Sequence, residues 1–146
     1  MKGTIIKCNN CGTLNRVLFE KMSQNPRCGK CNQNLTLLDK PVEINFDQYN
    51  QEVENYSGYI LLDLWSPTWP YCLKLNPVLD EIAKKWKGII KIVKINVMNN
   101  PEIAQKFSIR GVPTLILLKM GDIIAQTAGS LPYEQLDAFL KRYISF

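Results

Sequence analysis

The sequence predicts an α/β domain preceded by a small metal-binding ribbon, and two observations support this fold class. Two Cys-x2-Cys pairs lie within the first 31 residues. From residue 42 onward, short β-branched runs alternate with stretches whose apolar residues recur at helical spacing, which is typical of α/β proteins. We therefore expect the ribbon to span residues 1–40 and the α/β domain to span residues 41–146.

The length and composition are those of a soluble globular protein. A chain of 146 residues can form one domain with a substantial core and a small appendage. Its apolar content of 46% and its charged content of 21% are ordinary. No apolar run approaches the roughly 20 residues of a membrane span, and residues 1–7 lack the apolar core of a secretory leader. We expect a cytoplasmic protein that does not bind membranes.

The positive charge is confined to the ribbon. Residues 1–40 contain seven Lys or Arg against two acids, whereas residues 41–146 contain eleven of each sign, so the whole net charge of +5 lies in the first segment. Four thiolates on one Zn²⁺ would lower the charge of the ribbon to about +3. That charge is too small to predict nucleic-acid binding by itself.

The four ribbon cysteines have the spacing of a structural zinc site. Two residues between Cys8 and Cys11, and between Cys28 and Cys31, let both sulfur atoms of a tight turn face one point, and two such turns complete a tetrahedron. Glycines next to the cysteines suit the positive φ of such turns. Two disulfides are the alternative, which a cytosolic setting disfavours. We expect one structural Zn²⁺ per chain.

The α/β domain is expected to begin with strand and helix in alternation. Apolar and polar residues alternate over residues 42–46, which predicts a half-buried strand. Asp47 is expected to cap a short helix that ends near Val53. The apolar run 59–65 then predicts a buried strand, which the acid Asp63 interrupts.

A long helix is expected to follow a proline-containing turn. Apolar residues recur at helical spacing from Leu75 to Trp86, and Gly88 provides a stop. Cys72 therefore falls in the first turn of the helix after Pro70. Unpaired backbone N–H groups and the helix dipole favour an anion at that end.

The second half of the domain repeats the alternation. β-Branched residues over 89–97 predict a strand, and Pro101 opens a short helix. Two strands, 114–119 and 122–128, are joined by a hairpin turn. A last helix with one apolar stripe begins at Pro132.

The segment around Cys72 resembles the active-site segment of the thioredoxins. Members of that family carry the motif Trp-Cys-Gly-Pro-Cys, with a buried acid before it and a proline after it. In an ungapped alignment Asp63 takes the place of the acid, Cys72 that of the second cysteine and Pro77 that of the proline. Trp69 then stands in the place of the attacking cysteine. In a register shifted by one residue, Pro70 stands there, so neither register supplies a first cysteine.

The resemblance extends over residues 41–146 and implies the thioredoxin fold, in which a central mixed sheet is flanked by helices. Residues 110–114 (Arg-Gly-Val-Pro-Thr) are similar to a family loop that faces the redox motif and whose proline, here Pro113, is cis. Lys94 corresponds to the buried lysine that partners the family's acid, Asp63. With its four-cysteine ribbon, the whole chain resembles the zinc-ribbon type of bacterial thioredoxin.

The missing cysteine predicts a binding protein rather than an enzyme. Thioredoxin reduction requires two thiols three residues apart, because one attacks and the other releases the mixed disulfide. We expect that this reductase activity is lost and that the former active-site face binds extended or partly unfolded protein segments, with the basic ribbon as a second docking surface. The residues expected to form this face are Trp69, Pro70, Tyr71, Val112, Pro113 and Thr114.

Two other functions are compatible with the sequence. The first is a thiol–disulfide oxidoreductase of cell redox homeostasis that uses Cys72 alone, with Asp63 as proton acceptor and Lys94 as its partner. Burial and a nearby carboxylate disfavour the Cys72 thiolate, and the chain has no histidine to activate it. The second is nucleic-acid contact through the ribbon, which is not favoured because Phe19 is its one aromatic residue. The oligomeric state is left open.

Overall fold

The N-terminal segment folds as a two-stranded ribbon. The computed structural model describes residues 3–144. Strands β1 (Gly3–Lys7) and β2 (Leu14–Leu18) pair in antiparallel fashion, and a 3₁₀ helix (Phe19–Gln24) follows. These two strands were not predicted, because residues 3–7 and 14–18 do not alternate regularly between apolar and polar.

A five-stranded mixed sheet forms the centre of the α/β domain. The strands are β3 (Val42–Glu43), β4 (Tyr59–Trp65), β5 (Ile90–Asn96), β6 (Thr114–Lys119) and β7 (Asp122–Ala128). Their spatial order is β3-β5-β4-β6-β7, with β3, β5 and β4 parallel and the β6 and β7 pairings antiparallel. The helices are α1 (Pro70–Lys85), α2 (Pro101–Phe107) and α3 (Tyr133–Tyr143). No helix within residues 3–144 is both long enough and apolar enough to cross a membrane.

The structure corrects the prediction for residues 42–53. Strand β3, the first strand of the α/β domain, is only two residues long. The backbone N–H of Phe46 donates to the Asn100 side chain (2.9 Å) instead of extending the sheet. Asp47 lies inside a 3₁₀ helix and does not cap it. Asn45 precedes that helix, and its N–H donates to the Gln48 side chain at 3.0 Å. A π-helical segment (Asn50–Glu54) follows.

Alternation along β4 divides its side chains between two hydrophobic cores. Ile60, Leu62 and Leu64 belong to the core that includes Ile103 of α2. Leu61 belongs to the other core, which includes residues of α1 and α3. Asp63 is the next residue on the Leu61 face, so its carboxyl lies beneath α1 and away from water.

The ribbon and the α/β domain share one hydrophobic core. Phe19 of the ribbon is buried in the same cluster as Trp86, and the Phe19 ring lies 5.8 Å from the ring of Tyr59. The hydroxyl groups of Thr4 and Ser57 are hydrogen-bonded at 3.1 Å. The ribbon is therefore packed onto the main domain and is more than a tethered appendage.

Candidate functional site

The turn between β4 and α1 presents aromatic residues to solvent and withdraws the cysteine. Trp69 precedes the helix, and Pro70 is its first residue. A proline suits this position because an N–H there would have no acceptor within the helix. The side chains of Trp69 and Tyr71 are 54% and 58% exposed. Cys72, one residue further along α1, is completely buried. In the ungapped register, the position that a thioredoxin-type reaction would use for attack therefore carries an exposed indole; in the shifted register it carries the exposed Pro70.

Cys72 lies in an environment that keeps it a neutral thiol. Burial raises the pKa of the Cys72 thiol, and the N–H of Ser66, 3.5 Å from the sulfur, offsets this effect only in part. The carboxyl of Asp63 raises the pKa further. These effects outweigh the favourable end of the α1 dipole, so the thiol is neither accessible nor ionised at neutral pH.

Asp63 and Lys94, the expected partners, are neighbours across β4 and β5 but do not form a salt bridge. Lys94 is half-buried, and its ammonium group donates to Oδ1 of Asn76 at 2.6 Å and lies 4.9 Å from the Trp65 ring. Burial raises the pKa of Asp63 to about 7, and the charge of Lys94 limits the rise.

Glu43 is part of this polar site, and the sequence analysis missed it. Glu43, Lys94 and Asp63 stand side by side across β3, β5 and β4. The Glu43 carboxylate accepts a hydrogen bond of 3.1 Å from the Trp65 indole, and burial raises its pKa. A cavity of about 550 Å³ lies beside Glu43 and Lys94, and Asp63 does not line it; the charged residues of its lining are Asp39, Lys40, Glu43, Asp80, Lys84 and Lys94. The available signal was the acid among the alternating apolar and polar residues 42–46.

A more apolar groove of about 370 Å³ lies beside the loop at Pro113. Its lining residues include Trp69, Val97, Ala104, Ile109, Arg110 and Val112. The Val112–Pro113 peptide bond is cis, as the family resemblance implied. Within residues 3–144 neither the N–H nor the C=O of Val112 has a hydrogen-bond partner. The groove thus combines apolar walls with a free segment of backbone.

The structure brings some of the predicted binding residues to this groove and not others. Trp69 and Val112 line it. Pro70 and Tyr71 are exposed but lie outside its lining. The side chains of Pro113 and Thr114 are buried, and the Thr114 hydroxyl donates to the Gly111 carbonyl oxygen at 2.6 Å. The remaining walls come from Val97 directly after β5, from α2 and from the loop after α2, which no local motif indicated.

The four ribbon cysteines converge as the spacing predicts. Their sulfur atoms all lie within 4.8 Å of one another, with Cys8 and Cys31 3.6 Å apart and Cys11 and Cys28 3.5 Å apart. A tetrahedron with metal–sulfur bonds of about 2.3 Å has sulfur–sulfur edges of about 3.8 Å. None of the cysteines forms a disulfide, so the two-disulfide alternative does not hold. This cluster is a metal site.

The backbone around the cysteines prepares them to bind a cation. The N–H groups of Asn10 and Lys30 each donate to a cysteine sulfur at 3.4 Å. Hydrogen bonds from the Cys31 and Lys30 backbone lower the pKa of Cys28 to about 6. The positive φ expected of glycines occurs at Gly12, but in the second turn it falls on Asn32.

Comparisons with known proteins agree with this architecture. The profile of the family described as Thioredoxin matches residues 40–142, and the profile described as Thioredoxin 2, N-terminal, matches residues 7–33. Thioredoxin C-3 of Corynebacterium nephridii is 31% identical over 140 residues, which cover 96% of this chain and 95% of the relative. The thioredoxin of Haemophilus influenzae is 38% identical over 107 residues, which cover 73% of this chain and all of the relative.

The solved structures confirm the fold class. A mutant thioredoxin from Halobacterium salinarum superposes with a TM-score of 0.68 at 22% sequence identity, over 76% of this chain and 96% of that one. At this identity the likeness shows the fold alone. The predicted thioredoxin fold with an N-terminal zinc ribbon is thus confirmed.

Proposed function

The chain belongs to the thioredoxin family, a family of thiol–disulfide oxidoreductases, and we propose that this member has lost the dithiol reaction and binds other proteins instead. It uses the former active-site face to hold extended or partly unfolded segments. The observation that carries the proposal is the exposed Trp69 in the place of the attacking thiol, above a Cys72 that is completely buried. Among the described residues of this face, a disulfide in a substrate meets no accessible thiol, because Cys72 is completely buried.

The groove beside Pro113 supports binding of an extended segment. The free N–H and C=O of Val112 can pair with the backbone of a segment as an added strand would. Trp69 forms an aromatic wall of the groove, and tryptophan is among the residues that most often anchor protein interfaces. The groove lies at the lower end of the roughly 300–1,000 Å³ range of ligand pockets, which fits one or two side chains.

The ribbon offers a second docking surface for the same kind of partner. The pairing of β1 with β2 places Lys7 beside Leu14 and Ile5 beside Arg16, on one face of the ribbon. Leu14 and Leu18 of that face are 68% and 42% exposed. Aliphatic side chains offer no stacking platform for bases, so the surface favours a protein over nucleic acid.

Zinc is the ion that we assign to the cysteine cluster, with one ion per chain. Four thiolates at tetrahedral distances suit Zn²⁺ and leave no position open for a substrate, so its role is structural. Five free cysteines fit a reducing compartment, and we place the protein in the cytoplasm.

The second candidate function is a thiol–disulfide oxidoreductase of cell redox homeostasis that works through Cys72 alone. Family membership favours it. The raised pKa and complete burial of Cys72 oppose it, because α1 would have to move before the sulfur met a substrate.

Reduction of insulin disulfides by dithiothreitol, followed as turbidity, tests the loss of activity. With the parent chain, turbidity is expected to rise at the same rate as in a reaction without the protein. Trp69→Cys restores two thiols three residues apart and is expected to accelerate the reaction, whereas the control Trp69→Ser removes the indole without supplying a thiol and should not. Turnover by the parent chain that disappears in Cys72→Ser would contradict the proposal and establish the second candidate.

Binding is measured on the same proteins. A permanently unfolded, carboxymethylated protein has no disulfide to reduce and serves as the probe. The parent chain is expected to bind this probe, and Trp69→Ser is expected to bind it more weakly because one wall of the groove is lost. Absence of binding by the parent chain would contradict the proposed function.

A further inference from the structure

We infer that the groove beside Pro113 selects protein segments in which a large apolar side chain lies next to an acidic residue, and that Arg110 determines this preference. The inference rests on the proposed function, because it names the class of segment that the face would bind. Three features of the groove carry it.

The first feature is the apolar part of the lining. Val97, Ala104, Ile109 and the ring of Trp69 form walls without a charged group. An open groove of about 370 Å³ with such walls gains by burying an aliphatic or aromatic side chain. A segment made only of small or polar residues would leave this apolar surface exposed to water.

The second feature is the charge at the edge of the groove. Arg110 is the one charged residue in the lining, and it is exposed. Within residues 3–144 it has no salt bridge, hydrogen bond or ring contact. Lys106 of α2, by contrast, lies over the rings of Tyr49 and Phe107. A guanidinium group remains charged at all physiological pH values and binds a carboxylate through two parallel hydrogen bonds.

No negative charge in the adjoining helix end opposes an acidic ligand. The first turn of α1 contains no acidic residue, and no side chain caps it. The positive end of its dipole lies at Trp69 and the negative end of the shorter α2 dipole lies beside Ile109, so the charge of Arg110 itself sets the sign of the potential in the groove. A basic segment would meet a cation there without a counter-charge, so the electrostatics favour an acidic segment over a basic one.

The third feature sets the spacing. A segment that pairs with the free backbone of Val112 is extended, so its residues advance by about 3.3 Å each. Arg110 lies two residues from Val112 along the loop. The carboxylate therefore belongs one or two residues from the apolar side chain that enters the groove.

The test uses three synthetic peptides of about ten residues that differ at one position beside a central leucine: Glu, Gln or Lys. In calorimetry on the full, metal-loaded chain, the Glu peptide is expected to bind most tightly, the Gln peptide less tightly and the Lys peptide least. The affinity for the Glu peptide should exceed that for the Gln peptide roughly five- to twentyfold. Arg110→Gln should remove that preference and leave the Gln peptide unchanged. Arg142→Gln removes an exposed cation from the last turn of α3 and is the matched control, which should keep the preference.

The outcomes distinguish a failure of the role inferred for Arg110 from a failure of the proposed function. Equal affinity for the Glu and Gln peptides, with binding still weakened by Trp69→Ser, would overturn the role of Arg110 and leave the proposed function standing. A preference for Glu that persists in Arg110→Gln would also overturn it. If the parent chain binds none of the three peptides and does not bind the unfolded probe, both the role of Arg110 and the proposed function are overturned.

Discussion

At the residue scale, the carboxyl of Asp63 is the group whose hydrogen bonding is least satisfied. Its two oxygen atoms are the buried side-chain polar atoms that lack a hydrogen-bond partner among residues 3–144. Lys94, the expected partner, is held by Asn76 and Trp65. Under the proposed function no thiol reaction uses this carboxyl, so its burial lowers stability without contributing to catalysis.

The pH dependence of stability should report the ionisation of Asp63. Its folded pKa of about 7 lies well above the usual range of an aspartate, so the folded state retains a proton that the unfolded state releases. Stability is therefore highest below the unfolded pKa and falls as pH rises towards 7, where it levels off. Urea unfolding should give roughly 1–3 kcal/mol less stability at pH 8 than at pH 5.

The control for this prediction is Asp63→Asn, which keeps the shape and removes the titration. The chain has no histidine, so no imidazole masks the effect between pH 5 and 8. The variant should show a much flatter profile over this range. A parent chain whose stability did not change between the two pH values would show that the carboxyl is ionised or solvated.

At the element scale, the junction between the 3₁₀ helix of the ribbon and the end of α1 holds the two parts of the chain together. Gly88 follows α1 with a φ of +78°, and a Cβ at this position would lie 2.6 Å from Sδ of Met22 in the ribbon. The main chain at residue 88 thus approaches the ribbon more closely than a side chain would permit. The glycine that the sequence analysis read as a helix stop is also a packing site.

Gly88→Ala is expected to destabilise the protein by roughly 1–3 kcal/mol, because it combines backbone strain with a clash against Met22. Gly129→Ala is the matched control, since Gly129 has a φ of +91° with no heavy atom within 4 Å of its Cβ position. The control carries the backbone cost alone. Equal losses in the two variants, measured by urea unfolding, would show that contact with the ribbon is not tight.

At the scale of the whole molecule, the shared core makes the metal site part of the stability of the entire chain. Cys8 and Cys28 are buried in the same cluster as Trp86 and Leu79 of the main domain. A ribbon of about forty residues buries too little apolar surface to fold alone, so metal binding contributes directly to its folding. Loss of the metal therefore uncovers part of the main-domain core.

Removal of the metal by a chelator is expected to lower the unfolding temperature of the whole chain by several degrees and not only to melt the ribbon. The measurement is differential scanning calorimetry of the zinc-loaded and chelated protein, with one zinc per chain established by elemental analysis. Restoring Zn²⁺ to the chelated protein should restore the transition. A main-domain transition that did not respond to the metal would contradict the coupling between the two parts.

Features that depend on local spacing could be predicted from the amino-acid sequence. The two Cys-x2-Cys turns, the passage from β4 to α1 with Cys72 in its first turn, and the loop 110–114 were all predicted at the right residues. Short-range spacing carries this information because a tight turn or a helix start is specified by a few neighbouring residues. The burial of Asp63 follows from its place in the apolar run 59–65, whereas the missing attacking thiol was implied by the resemblance to the thioredoxins.

Only the tertiary structure decided which groups meet. It paired the Lys94 ammonium with Asn76 instead of Asp63, brought Glu43 to the same polar site, buried the side chains of Pro113 and Thr114, and packed the ribbon onto the main domain. It also placed Arg110 beside Trp69, across more than forty residues of chain. These contacts depend on how strands, helices and ribbon pack against one another, which is a property of long-range geometry that no local pattern encodes.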